Sequence, residues 1–485
     1  MTARTRTALP WFLASAWAGA RLALPPGGHN THTIMYPLVE AAGSYNTLEP
    51  FHPLYMPVVT AVRWLWEAGG MSGPALPALA AVSLLAGMAN IVLLYRVVLR
   101  AGGKDAAAFG AAGLLALTQN LWAWGSQTTS YTLSTACVLI VVERLLSREK
   151  LDARDALWAG IGTGLAASFD TAAGLVALPA LYELERRGGK GALAAYAAAA
   201  ALVLAGAYAV FFHRLFVLDW PFPPDLAGLL ASLPHDIVPL WKSGDLLGQV
   251  RAFWRSDAPA DLPWFVAPVV LAASWRALKK RAWNERALWR LAAGLWLAVT
   301  GFFFLNDPLN RFVYAGALFI PAVLALAWTR HWPGAAVLLF CFTLYRPPDY
   351  APASNPTMRE ADYLADRLGA GDLLVALSEP DWLLSYALAG RVPVVKLSHG
   401  EASESHFGFR PLTPEAAERE MDLVVKRGGK VVFAPDAFYR PNGHDELEAV
   451  ARRLVERWSR RYAPQPAWVS PQDQHYMPLA ARVRP

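Results

Sequence analysis

The sequence predicts a mostly α-helical, polytopic membrane protein with about eleven transmembrane helices, followed by a small α/β domain outside the cytoplasm. Hydrophobic residues make up 55% of the 485 residues and charged residues only 17%, against about 25% charged residues in ordinary soluble domains. Apolar runs long enough to cross a bilayer alternate with short polar connections. From Arg346 onward the apolar runs shorten and charged residues become frequent.

The apolar runs place every crossing before residue 346. We expect them at residues 9–24, 75–99, 106–121, 131–146, twice within 157–184, and at 192–212, 263–274, 291–305, 312–328 and 333–344. The first run follows Arg4 and Arg6 and has features of a signal peptide. It ends at Pro-Pro-Gly-Gly without a clear small-residue cleavage site, so we expect a retained span.

The basic residues set the orientation of these spans. Every connection assigned to the cytoplasmic side is basic, whereas the short outer turns carry only Arg311. This positive-inside pattern accounts for the net charge of +6, so the charge does not indicate a nucleic-acid-binding groove. Cys137 and Cys341 both lie in apolar segments, and no disulfide framework or thiolate metal site is expected.

Two domains follow from this pattern. Residues 1–346 form the membrane part, with long outer loops at 25–74 and 214–262. An odd number of spans after a basic N-terminus places residues 347–485 outside the cytoplasm, where helix and strand signals alternate as in a small α/β layer domain. This domain has no phosphate-cradling glycine motif, nucleophile elbow or metal-spaced Cys or His set, so we expect a lid or an acceptor-docking module.

An interruption at 168–171, Ser-Phe-Asp-Thr, divides the apolar run 157–184. The run is too long for one simple span and too short for two standard ones. It predicts a pair of short helices that meet near the outer face, with Asp170 at the tip, because broken spans are tolerated where they line a protein cavity. The alternative is one long tilted helix in which a partner buries Asp170, at a high cost if the carboxylate is unpaired.

The first outer loop contains most of the candidate functional side chains. Residues 29–57 concentrate His, Asn, Tyr and Glu at a membrane face, where ionisable groups are costly to desolvate and so indicate function. The alternative is an ordinary polar connector with helices resting on the lipid. Glu49 precedes His52 by three residues, so the two could share a proton-transfer site. His52 could instead be a helix-entry residue bonded to the backbone.

Other side chains are candidates for binding. Arg311 opens a span after an outer turn, where it could hold a phosphate or extend to lipid headgroups. Trp124 and Tyr131 lie at the interface, as substrate contacts or as members of an aromatic belt. His29 and His32 have the spacing of helical metal ligands and could bind a divalent cation with Glu49, although the preceding Pro-Pro-Gly-Gly favours a loop.

Four stretches, taken in order, resemble the GT-C class of membrane glycosyltransferases, and within it the protein O-mannosyltransferase-like branch. They are FHPLYMP (51–57), LWAWGSQTTSYTLSTA (121–136), GLAASFDTAAGLVALPAL (164–181) and RFVYAGALFIPA (311–322). The resemblance implies a GT-C fold in the plasma (inner) membrane. It also implies transfer of a sugar from a polyprenyl-phosphate donor to a protein, lipid or polysaccharide acceptor on the outer face.

Three polar positions depart from the family pattern. The acidic residue that the family carries after its first span corresponds best to Asn30. Its Glu before Tyr corresponds to Thr129 or Ser130, and its tip His to Phe169 or Asp170. If the acid has moved, Glu49 is the first candidate base, before Glu40 and Asp170. The full expected site has His52 beside these three acids, and substrate contacts from Asn30, His32, Tyr55, Trp124, Tyr131 and Arg311.

The departures also support a second hypothesis from another class. A catalytically silent GT-C relative could bind carrier lipid or scaffold an envelope-assembly complex. A transporter fits less well, because the sequence has no inverted repeat and its polar groups gather at one face rather than at the midplane. The expected partners are therefore a polyprenyl-phosphate-linked sugar and membrane lipids, with no nucleic acid. The divalent cation is the one cofactor envisaged.

Overall fold

A computed structural model describes the chain at residues 3–23, 52–71, 76–117, 121, 125, 129–217, 282–306, 356–376, 388, 392–397, 410–412, 414–434, 457–458, 460–471 and 475–481. Within these ranges, the residues up to 306 belong to one compact helical unit and those from 356 onward to a second unit built on a β-sheet. The expected domain boundary at 346/347 lies outside the described residues and stays a prediction.

The described part of the first unit is helical throughout. Its helices are α1 (Ala3–Ala23), α2 (Tyr55–Ala68), α3 (Leu76–Arg100), α4 (Asp105–Leu117), α5 (Tyr131–Leu145), α6 (Ala153–Phe169), a 3-10 helix (Thr171–Val176), α7 (Ala177–Arg187), α8 (Gly189–Val217) and α9 (Trp283–Asn306). Among the described residues, two segments are long and apolar enough to cross a membrane, Pro77–Arg100 and Gly189–Val210. The count of about eleven spans stays a prediction, since the runs at 263–274, 312–328 and 333–344 lie outside these residues.

A helix pair lies where the interruption at Asp170 predicts one. α6 ends at Phe169, Asp170 is extended, and the chain returns through the 3-10 helix and α7. The 17 residues of α6 span about 25 Å. The six 3-10 residues and the 11 residues of α7 return about 28 Å, because a 3-10 helix rises about 2.0 Å per residue instead of 1.5 Å. The expectation of two short helices was therefore wrong for α6, which is long enough to cross a bilayer. The return segment reaches a similar length because part of it is a 3-10 helix.

Glycines let α6 pack tightly between its neighbours. A Cβ atom on Gly160 would lie 2.4 Å from the carbonyl oxygen of Tyr196, and one on Gly164 would lie 2.7 Å from Cβ of Val203, both on α8. A Cβ on Gly162 would meet α5, 2.9 Å from a valine methyl group. Small residues four apart allow this close approach of two helix backbones.

Buried ion pairs close one end of the helical unit. Glu183 is fully buried, with Nε of Arg187 2.9 Å from its Oε2 and Nη2 of Arg290 donating to the same oxygen at 2.9 Å. Nη2 of Arg187 also donates to the carbonyl oxygen of Leu145 at 2.6 Å. These contacts join α5, α7 and α9.

A second buried carboxylate lies at the same end. Glu143 accepts from Nε of Arg100 at 2.9 Å and forms an ion pair with Nη2 of Arg96 at 2.7 Å. Asn284 donates to the carbonyl oxygen of Arg100 at 2.8 Å, which ties α3 to α9. We call the part of the helical unit that holds Glu143, Glu183 and their arginine partners the basic end.

The described part of the second unit is a mixed sheet with two helices. The strands are β1 (Leu373–Ala376), β2 (Val394–Leu397), β3 (Arg410–Leu412), β4 (Val431–Phe433), β5 (Tyr462–Pro464), β6 (Trp468–Val469) and β7 (His475–Ala481), and the helices are α10 (Pro356–Ala365) and α11 (Pro414–Lys426). The order is β3-β2-β1-β4-β7-β5, and β6 pairs with β7. The first four strands in this order are parallel, whereas β7 pairs antiparallel with β4 and β5.

Contacts between α11 and β5 hold together two parts of this unit that lie 40 residues apart in the sequence. Tyr462 and Arg461 both bond to Asp422 on α11. Burial raises the pKa of Tyr462, and the neighbouring carboxylate of Asp422 adds to that effect. Phe433 and Trp458 pack with ring centroids 4.7 Å apart and form part of the core on the same face. The extracytoplasmic location of this unit stays a prediction.

Candidate functional site

Three chain segments meet at a polar junction: the entry to α2, the first turn of α5 and the end of α6. The backbone N–H of Leu54 donates to the carbonyl oxygen of Ser168 at 2.9 Å. The Ser168 hydroxyl, fully buried, donates in turn to the carbonyl of Gly164 at 2.7 Å. The entry to α2 is therefore tied to the last turn of α6.

His52 lies at the centre of this junction. Its side chain is buried, and its Nδ1 lies 2.7 Å from the carbonyl oxygen of Phe169 and 3.2 Å from Oγ of Ser130. A carbonyl oxygen only accepts hydrogen bonds, so Nδ1 must carry the proton. When the imidazole is in its neutral form, this bond leaves the lone pair on Nε2, which is the tautomer that a base acting through Nε2 requires.

Two tyrosines predicted to contact substrate lie beside His52. The backbone N–H of Tyr55 donates to the carbonyl of His52 at 3.0 Å. The ring of Tyr131 stands edge-on to the imidazole, with centroids 6.1 Å apart. Both tyrosines are buried. The structure thus brings His52, Tyr55 and Tyr131 together from segments about 75 residues apart in the sequence.

Asp170 adjoins the same junction, but its carboxylate has a structural partner. Its Oδ1 accepts from the backbone N–H of Ala172 at 2.8 Å, which caps the 3-10 helix, and its side chain is buried. The residue before it, Phe169, supplies the carbonyl that binds His52. The hypothesis that Asp170 is a base therefore competes with this cap.

Polar atoms without hydrogen-bond partners surround the first turn of α5. Ser130 at the N-cap makes no side-chain capping bond. Oγ1 of Thr129, Oγ1 of Thr132 and Oδ1 of Asn90 are buried and have no hydrogen-bond partner, while Nδ2 of Asn90 donates to the carbonyl of Thr132 at 3.0 Å. Each such atom costs about 1–3 kcal/mol, and the positive end of a helix favours anions. The threonine hydroxyls can therefore donate to a phosphate at this turn, whereas Oδ1 of Asn90 can only accept a hydrogen bond.

Sequence reasoning did not single out Asn90, although a signal was present. It is an amide side chain in the middle of an apolar run, and polar residues there usually have a function or a polar partner. Ser83 lies two turns earlier on the same face of α3, and its Oγ is 3.4 Å from both the backbone nitrogen and the carbonyl oxygen of Thr129. Together they connect α3 to the turn where the resembled family carries its Glu.

Several predicted site residues lie outside the described residues, and their roles stay predictions. These are His29, Asn30, His32, Glu40, Glu49, Trp124 and Arg311. No group of three His, Cys, Asp or Glu side chains suited to a metal ion occurs among the described residues. That finding does not test the cation hypothesis, because all of its ligands fall outside them.

Comparison with known proteins gives a likeness in fold. No protein-family model and no curated protein sequence matches the chain. The crystal structure of ArnT from Cupriavidus metallidurans bound to undecaprenyl phosphate matches with a TM-score of 0.55 and 14% sequence identity, over 98% of each chain. The chain shares the ArnT fold. The apo oligosaccharyltransferase from Archaeoglobus fulgidus matches with a TM-score of 0.50 and 15% identity, over 98% of this chain and 74% of that one.

These likenesses confirm the GT-C fold that the four stretches predicted. They do not distinguish the O-mannosyltransferase-like branch from other GT-C proteins, so that assignment stays a prediction.

Proposed function

We propose that this chain is a membrane glycosyltransferase that moves a sugar from a polyprenyl-phosphate donor to an acceptor. The observation that carries the proposal is the fold shared with ArnT over 98% of both chains, in a structure where ArnT holds undecaprenyl phosphate. Membrane placement is supported by the two long apolar segments. It is also supported by the exposed apolar side chains of α1 and α8, among them Phe12 and Leu202.

The two ends of α5 support a site on the outer face. Tyr131 opens this helix at the polar junction, whereas Glu143 lies at the basic end. Twelve residues of helix separate them, which is about 18 Å. Basic connections favour the cytoplasmic side, so the polar junction would face outward, where the acceptor is expected.

The junction supplies two of the functions that sugar transfer needs. The first turn of α5, with the hydroxyls of Ser130 and Thr132, is suited to the phosphate that departs from the sugar. The imidazole of His52, oriented by the Phe169 carbonyl, is suited to proton transfer at Nε2. Glu49 stays our first candidate for the carboxylate base, with His52 as its partner.

A substitution of His52 separates its structural hydrogen bond from its chemistry. In His52→Asn the side-chain N–H takes the place of Nδ1 and keeps the bond to Phe169, but Nε2 is lost. We expect the variant to fold normally and transfer to fall by a factor on the order of a hundred. The measurement is mass spectrometry of envelope glycans, glycolipids and glycoproteins in a deletion strain that expresses each variant.

His475→Asn is the matched control, because that histidine is exposed in the second unit; it should restore the wild-type glycan profile. Glu49→Gln should fail like His52→Asn. If the deletion strain itself has an unchanged profile, the enzyme proposal fails. The carrier-binding alternative, which the Thr and Ser at positions 129 and 130 favour, would then require undecaprenyl phosphate to bind the purified protein without turnover.

A further inference from the structure

We propose that the outward face of α7 seats an anionic phospholipid at the basic end. The proposal rests on the membrane placement given above but not on sugar transfer. It concerns the opposite end of the helical unit from the polar junction.

One face of α7 is exposed and apolar. Leu178 is 58% exposed, Leu181 38% and Tyr182 46%. Residues spaced by three and four positions lie on the same side of a helix, so these three form a continuous stripe. The opposite face is packed, with Glu183 and Leu184 fully buried. The stripe has the length of about one helical turn, enough to accompany the upper part of an acyl chain.

The stripe ends in an oriented cation. Nη1 of Arg186 donates to the hydroxyl of Tyr182 at 2.9 Å, and its guanidinium carbon lies 5.6 Å from the centre of the same ring. Arg186 is exposed. A guanidinium held in one direction loses less freedom when it binds a phosphate, whose oxygens match its planar fork.

The positions of Trp158, Tyr182 and Arg186 along their helices match the depths at which these residue types occur at a membrane surface. The N–H of Leu151 donates to the carbonyl of Arg187 at 3.1 Å, so the start of α6 lies beside the end of α7. Trp158 on α6 and Tyr182 on α7 are both exposed, and each lies about 8 Å along its helix from that end. Trp and Tyr prefer the interface. Arg186, one turn nearer the end, then reaches the phosphate layer.

The surrounding charges favour an anion. Between residues 148 and 190, exposed cations outnumber exposed carboxylates by five to three: Arg148, Lys150, Arg154, Arg186 and Lys190 against Glu149, Asp152 and Glu185. Glu185 is next to Arg186, so the attraction comes from the cluster as a whole. A lipid with one net negative charge, such as phosphatidylglycerol, is preferred over zwitterionic phosphatidylcholine on these grounds.

The test counts lipids bound to the full-length protein by native mass spectrometry, with phosphatidylglycerol and phosphatidylcholine of equal chain length. We expect the wild type to bind one phosphatidylglycerol more tightly than phosphatidylcholine. Arg186→Gln should weaken phosphatidylglycerol binding about fivefold and leave phosphatidylcholine binding unchanged. Tyr182→Phe, which keeps the ring but not the hydroxyl, should weaken it about twofold.

Arg63→Gln is the control, since Arg63 is also bonded to a side chain four residues away, Glu67 at 2.8 Å, but lies on α2. It should bind phosphatidylglycerol like the wild type. Wild-type affinity in Arg186→Gln, or an equal loss in Arg63→Gln, would overturn the proposal. So would a dimer that Leu178→Ser abolishes, because a second copy would then cover this face. If no variant retains either lipid, the membrane placement itself is wrong.

Discussion

At the residue scale, His52 and Asp170 both lie next to the backbone of Phe169. Each forms one hydrogen bond to the main chain that a substitution can keep or remove. The imidazole donates from Nδ1 to the carbonyl of Phe169. The carboxylate of the next residue accepts from Ala172 and caps the 3-10 helix. Both bonds hold the break between α6 and α7 in its observed geometry. Structural and chemical roles must therefore be separated by paired variants.

Asp170→Ala removes the cap, and we expect it to lower the free energy of unfolding by about 1 kcal/mol. Asp170→Asn keeps an acceptor oxygen at the same place, so its stability should stay close to that of the wild type. Thermal unfolding in lipid nanodiscs measures both. If Asp170→Asn unfolds normally yet loses transfer a hundredfold, the cap is not the main role of Asp170 and it becomes the leading base.

At the element scale, the contact between α6 and α8 sets how closely the helix pair can pack. The backbone oxygen of Tyr196 occupies the space that a side chain at position 160 would need. No similar obstacle surrounds Gly206 on α8, which has nothing within 4 Å of its Cβ position. These two glycines therefore form a matched pair of helical positions.

Gly160→Ala should destabilise the protein by about 1–3 kcal/mol, because a backbone atom cannot move aside as a flexible side chain can. Gly206→Ala should cause no loss, since alanine is the better helix former. The difference in melting temperature between the two variants is the measurement. Equal melting temperatures would mean that α6 and α8 separate without cost.

Much of this element pattern follows from the sequence. The helices α1 and α3 to α9 overlap predicted apolar runs, and α6 ends just before the predicted interruption at Asp170. Strand signals at 372–377, 392–397 and 430–434 predict β1, β2 and β4. The strands β3, β5 and β6 were missed because strands of two or three residues show no clear alternation. The seven-residue β7 was missed as well, because its Pro478 weakens the strand signal. The backbone hydrogen bond of His52 was one of the two predicted alternatives, but its acceptor could not be predicted, since it is a main-chain atom 117 residues away. The burial of Glu183 was not predicted either, because its partners Arg187 and Arg290 were both assigned to basic cytoplasmic connections.

At the scale of the whole molecule, the polar groups of the described helical unit are divided between two places. The polar junction gathers hydroxyls, an imidazole, a helix N-terminus and one carboxylate, Asp170, whose partner is a backbone N–H, whereas the carboxylates Glu143 and Glu183 at the basic end are paired with arginines. Glu183 joins α7 to α9 through Arg290 and, through Arg187, to α5. The second unit has its own core, formed on the two faces of its sheet.

Glu183→Gln should lower the stability of the helical unit by about 3 kcal/mol, because it leaves two guanidinium groups with a neutral partner in a buried place. Glu67→Gln, which breaks an exposed pair with Arg63, should cost less than about 1 kcal/mol. Denaturation in mild detergent, followed by the fluorescence of the tryptophans, compares the two. A loss for Glu183→Gln as small as that for Glu67→Gln would show that water reaches the basic end.

The two partners of the hydrogen bond between His52 and Phe169 depend differently on the coding sequence. Its donor is a side chain that any substitution at codon 52 alters, whereas its acceptor is a peptide oxygen that all twenty amino acids possess. Codon 169 can therefore change widely while the contact persists, whereas codon 52 is limited to residues such as Asn that place an N–H at the same point. In descendants of this sequence, the imidazole at position 52 should outlast the phenyl ring at position 169.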